Sequence, residues 1–140
     1  MKADRLLEVR SYYSFEAPVF SASVPAGKEK DRKSSLITLD LNSFLAPVPD
    51  DIFLVHVNGE SMIDENIYDG DILIVNSRES AGDGKIVIAA LNGELAVKQY
   101  RILDGSPYLV SANKNFLPIE IKPFMEFQIQ GVVRHVIHSL

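Results

Sequence analysis

Lys85-Ile86-Val87-Ile88-Ala89-Ala90-Leu91-Asn92-Gly93-Glu94-Leu95-Ala96-Val97-Lys98-Gln99-Tyr100-Arg101 reads as a hairpin. Two apolar runs flank Asn92-Gly93, a dipeptide that favours a two-residue turn with positive φ at both positions. The strands are expected at Lys85 to Leu91 and at Glu94 to Arg101. One residue breaks the pattern. Lys98 follows Leu95-Ala96-Val97 in an apolar strand, where an ammonium is costly to bury unless it is neutral or paired.

Outward from this hairpin the chain keeps to short apolar runs separated by turn residues. Strands are expected over Leu36 to Leu41, Ile52 to Val57, Asp71 to Val75 after the Asp69-Gly70 turn, Tyr108 to Ser111 and Ile119 to Ile121. Phe127-Gln128-Ile129-Gln130 alternates and runs through Gly131 into Val132 to Ile137, a long last strand. Asn42-Ser43-Phe44-Leu45 suits a short helical turn, closed by Pro47 and Pro49. The expectation is a mostly β body at 36–140, a single curved, barrel-like sheet. Residues 1–35 read as a flexible N-terminal arm. Leu6 and Leu7 allow at most an amphipathic turn or two, and Lys28 to Ser35 has no apolar period.

Composition narrows the chemistry. Apolar residues make up 46% and charged residues 24% of the 140, which suits a soluble globular domain. Without cysteine there are no disulfides, no thiol nucleophile and no Cys-based zinc site, and a reducing cytoplasm is the expected location. No apolar run approaches a membrane span. The arm carries a net +2 and the body a net −7. An acidic body repels phosphate backbones, so direct nucleic-acid binding by it is not expected.

Val55-His56-Val57-Asn58-Gly59-Glu60-Ser61-Met62-Ile63 supplies a possible partner for Lys98. The apolar run ends in Gly59, and Ser61 can be displayed on the turn that a glycine permits. Serine needs a base within reach to act as a nucleophile, and a lysine in an apolar strand can be that base if burial lowers its pKa. Ser61 and Lys98 are therefore a candidate Ser–Lys dyad. Other readings stay open: a non-catalytic β-rich interaction module, a peptidase acting on other chains, or a Ser-His-Asp arrangement that no spacing singles out. His56, His135 and His138 lack metal-ligand spacing and read as strand histidines. Asp64 to Asp71 fails as a calcium loop, since Tyr68 and Asp69 occupy ligand and glycine positions. No cofactor is expected.

The quoted motifs also carry a resemblance. Gly59-Glu60-Ser61-Met62-Ile63-Asp64, Ile67-Tyr68-Asp69-Gly70-Asp71-Ile72-Leu73-Ile74-Val75, Gly84 to Ala90 and Glu94 to Lys98 resemble the LexA/UmuD self-cleaving serine peptidases, including the 37-residue separation of Ser61 and Lys98. The short arm in place of a DNA-binding helix pair, and the ending Gly131 to Ile137, point to the UmuD-like branch; a compact LexA-like repressor is the alternative. The resemblance implies self-cleavage between Ala26 and Gly27, with Ser61 as nucleophile, Lys98 as general base and an oxyanion hole from the backbone N–H groups of Glu60 and Ser61. It implies stimulation by a RecA–single-stranded-DNA filament in the SOS response. The processed homodimer would then join a UmuC-type polymerase for error-prone translesion synthesis. Lys28-Glu29-Lys30-Asp31, after the scissile bond, departs from the apolar and small residues usual there.

Overall fold

The hairpin forms as read: Asn92 and Gly93 both have positive φ, 49° and 84°. The computed structural model describes residues 2–8, 14–20 and 37–140. Their strands in chain order are β1 (Lys2–Glu8), β2 (Glu16–Val19), β3 (Ile37–Asp40), β4 (Ile52–Asn58), β5 (Ile72–Asn76), β6 (Ile86–Leu91), β7 (Glu94–Leu103), β8 (Ser106–Val110), β9 (Ile119–Glu120) and β10 (Phe127–Ile137). One five-residue helix, α1 (Leu41–Leu45), falls where the Asn-Ser-Phe-Leu turn is expected. The fold is mostly β and its strands pair antiparallel.

Eight strands form one sheet in the order β1-β4-β5-β10-β6-β7-β8-β9. The sheet curls until Lys2 of β1 meets Ala96 of β7, a single residue pair, and it does not close into a barrel. Three assignments differ from the sequence reading: the arm supplies both β1 and β2, and β3 stays out of the main sheet. Residues 2–8 form no helical turn; they add a strand to the outer edge of β4. A seven-residue helix is marginal in water, whereas a sheet edge offers a full row of unpaired N–H and C=O groups. In turn, β3 pairs with β2 in a separate two-stranded sheet rather than joining the main one. Asp40 binds this small sheet to α1. Its carboxylate accepts the Ser43 hydroxyl at 2.6 Å and the Phe15 and Asn42 N–H groups at 2.9 and 3.2 Å. The Ser43 bond is the largest cause holding the Asp40 carboxyl below its ordinary pKa.

The long strand β10 joins the two halves of the main sheet. Its first half pairs with β6 as far as Val132, and from Val132 onward it pairs with β5. Inside the curl lies a core of Val55, Val57, Met62, Ile67, Leu73, Val75, Ile88 and Val97. This core matters to the site because Met62 follows Ser61 and Val97 precedes Lys98.

Candidate active site

β4 delivers the serine. It ends at Asn58, and Gly59 takes φ 105°, a conformation that a side chain would make costly. The Gly59 N–H donates to Asp69 Oδ1 at 2.9 Å, and the Gly70 N–H to the Val57 carbonyl at 3.0 Å, so the acidic loop braces the turn. That employment of Asp69, with Asp71 Oδ2 accepting the Tyr68 N–H at 2.9 Å, shows what the acidic residues do here. Ser61 follows at 1% exposure. It stands at the strand end as read, but buried rather than displayed to solvent. Met62, fully buried, fixes the turn to the core, and a short 3-10 turn at Ile63–Glu65 leads away.

β7 delivers the lysine. Cross-strand pairing sets Lys98 opposite Val87 of β6. Lys98 is only 9% exposed, and removal from water pushes its ammonium below its ordinary pKa. Its Nζ atom meets a hydroxyl and a ring. Nζ donates to Ser111 Oγ at 2.6 Å, and the Phe116 ring centroid lies 5.5 Å away. A ring face favours the cation, but this one is near the outer limit of useful distance and 47% exposed, so desolvation prevails. A cavity of about 210 Å³ opens beside Lys98, walled by Leu95, Ala96, Leu109 and Ile119.

The segment after β8 touches both deliveries. Ser111 holds Lys98. The Ala112 carbonyl accepts the Asp64 N–H at 2.7 Å, and the Ala112 N–H donates to Met62 Sδ at 3.2 Å. Asn113, itself buried, donates from Nδ2 to the Glu60 carbonyl at 3.0 Å. Glu60 C=O and Ser61 N–H share one planar peptide unit, so this bond turns the Ser61 N–H away from Asn113. Ser111 and Asn113 were not among the residues expected at the site. The signal for Ser111 was present in Asp104-Gly105. Those residues have φ 51° and 80° and close a second two-residue hairpin in which Leu103 pairs with Ser106 and Gln99 with Val110. One step further in that register sets Ser111 against Lys98.

Ala26 and Gly27 lie outside the described residues. His135 and His138 are engaged by other residues. His135 packs its ring 5.2 Å from that of Phe44, and His138 Nδ1 lies 2.6 Å from the buried Asp71 carboxylate. No helix among the described residues is long and apolar enough to cross a membrane.

Residues 18–134 match the family described as Peptidase S24-like. The LexA repressor of Stenotrophomonas maltophilia is 36% identical over 112 residues, covering 80% of this chain and 51% of that protein. LexA repressor 2 of Pseudomonas syringae pv. tomato is 37% identical over 120 residues, 84% of this chain and 57% of its own length. The LexA repressor of Dechloromonas aromatica is 42% identical over 91 residues. The chain thus spans about half the length of the curated relatives it matches, and these bear the name LexA rather than UmuD. The family match covers most of the sequence, and the chain belongs to the Peptidase S24-like family.

Proposed function

We propose that this protein cuts its own N-terminal arm between Ala26 and Gly27, with Ser61 as nucleophile and Lys98 as general base. The observation that carries the reading is the burial of Lys98, which favours the neutral amine a base must be, in a wall tied by residues 111–113 to the Ser61 turn. Neutral Nζ takes the Ser61 proton while Oγ attacks the Ala26 carbonyl carbon. The resulting oxyanion is held by the backbone N–H groups of Glu60 and Ser61. Collapse breaks the bond to the Gly27 nitrogen, which leaves with the proton from Lys98. Water then hydrolyses the ester to regenerate Ser61.

The biological setting we propose is the UmuD-like one in the cytoplasm. A RecA–single-stranded-DNA filament stimulates the cut, and the shortened homodimer serves a UmuC-type polymerase in SOS mutagenesis. The acidic body is not itself the nucleic-acid surface. Incubation with RecA, single-stranded DNA and a nucleotide cofactor should yield one new species, Gly27–Leu140 of 114 residues, by intact mass. A principal cut elsewhere, or none with an active filament, rejects this site.

Dimerisation has its own support. Beyond Val132, β10 pairs with β5 alone among the described strands, and Val136 and Ile137 are 38% and 42% exposed. Such an edge favours pairing with a second copy. Light scattering at micromolar concentration should give the dimer mass for both the full and the shortened chain, and monomer for both would refute it.

A second reading is favoured by the printed names of the relatives: the same body as the self-cleaving part of a LexA-like repressor. Binding of the cut chain to a UmuC-type polymerase separates the two, since only the UmuD-like reading expects it.

A further inference from the structure

Lys98 needs more than burial to serve as a base. A neutral amine carries one lone pair on a stem of rotatable bonds, and the lone pair is useful in one direction only. The hydroxyl of Ser111, 2.6 Å from Nζ, is placed to fix that direction. Ser111 is half-buried and cannot drift independently of the serine turn, because its neighbours Ala112 and Asn113 bond to Met62, Asp64 and Glu60.

We propose that Ser111 is the positioning residue for Lys98: its hydroxyl oxygen accepts one N–H of the amine and so aims the lone pair at Ser61. This rests on the dyad reading above. Register delivers the residue from β8, the strand next to β7, so the nucleophile and the base are aligned through one segment that touches both. Nζ meets the Ser111 hydroxyl and the Phe116 ring, and the cavity beside Lys98 is lined by apolar residues together with the carboxylate-bearing Glu94.

Two measurements test it. The first removes cleavage altogether. In a Ser61→Ala chain labelled at the lysine ¹³Cε, the Lys98 titration is compared with and without Ser111→Ala. Ser111 accepts from the ammonium more strongly than from the amine, so its loss should move the midpoint about one pH unit to the acid side. The second uses the cleaving chain. Ser111→Ala should lower the high-pH plateau of self-cleavage about tenfold while moving the profile the same way, and Ser111→Thr should restore both. A merely structural role would lower the plateau without moving the midpoint. Should Ser111→Ala fail to fold, Ser111→Cys, a weak acceptor of similar shape, makes the same comparison. Plateau and midpoint both unchanged in a Ser111 variant, while Lys98→Ala shows the loss expected of a missing base, overturn this proposal alone. Undiminished cleavage by Lys98→Ala overturns the dyad and this proposal with it.

Discussion

Self-cleavage of the wild-type chain without any filament should rise with pH between about 6 and 11 and then level off. The sign follows from the site. Burial depresses the Lys98 pKa, so the folded protein loses the Lys98 proton at lower pH than a solvated lysine, which titrates near 10.4. In the proposed mechanism the active form is the neutral one, so the rate should climb until the folded pKa is passed. Ser61→Ala removes the proposed nucleophile and should leave no cut chain at any pH. Lys98→Ala should lose about 10²- to 10⁴-fold, the usual share of a general base. Lys98→Arg should be as inert, because a guanidinium keeps its charge throughout. Cleavage is read as the fraction of cut chain by gel or mass spectrometry, with circular dichroism to show that each variant is folded. A flat wild-type profile, or full activity in Lys98→Ala, would remove the lysine as base. A filament would then act by favouring the arm-in-cleft conformer rather than by adding a chemical group.

Much of this site was legible because its signals are local. Asn92-Gly93 can adopt few turns, so the β6–β7 hairpin followed, and with it the strand that carries Lys98. Gly59 ahead of Ser61 likewise needs no distant partner to be read, and its φ of 105° meets the expectation. What escaped was non-local. Whether Lys2 to Glu8 becomes a strand depends on the vacant edge of β4, about fifty residues away, and not on its own weak periodicity. The burial of Ser61 depends on how the loops fold over it. Ser111 was hidden one inference deeper, behind an Asp104-Gly105 turn whose flanking residues, Arg101 and Ser106 among them, do not alternate strongly. A missed two-residue turn conceals the register, and the register conceals the neighbour.

Gly131→Ala should be the most destabilising single-methyl addition on the glycines of β10 and its neighbours, lowering the thermal midpoint by roughly 5–10 °C. Gly131 sits where β10 leaves β6 for β5, paired with Ile88 on one side and next to Val132, which pairs with both Val87 and Asn76. The register slips between Ile129 and Gly131, so the strand is bent there as well as crowded. A Cβ at this position would lie 2.6 Å from Val75 Cγ1, 2.8 Å from the Asn76 carbonyl oxygen and 3.2 Å from its carbon. A side chain can rotate away, but the Asn76 backbone belongs to the β4–β5–β10 ladder and can yield only by breaking it. Overpacking of this kind costs about 1–3 kcal/mol, a large share of the roughly 5–15 kcal/mol that holds a domain of this size. Gly82→Ala is the control: a Cβ there meets nothing within 4 Å, and its φ is not positive, so its midpoint should stay within about 2 °C of wild type. Differential scanning calorimetry on Ser61→Ala backgrounds, which cannot cut themselves during heating, makes the comparison clean. Equal midpoints for Gly131→Ala and Gly82→Ala would mean that β10 has slack where it crosses between the two half-sheets. The close packing that holds β5 and β6 to one strand would then not be what fixes the wall behind Ser61 and Lys98.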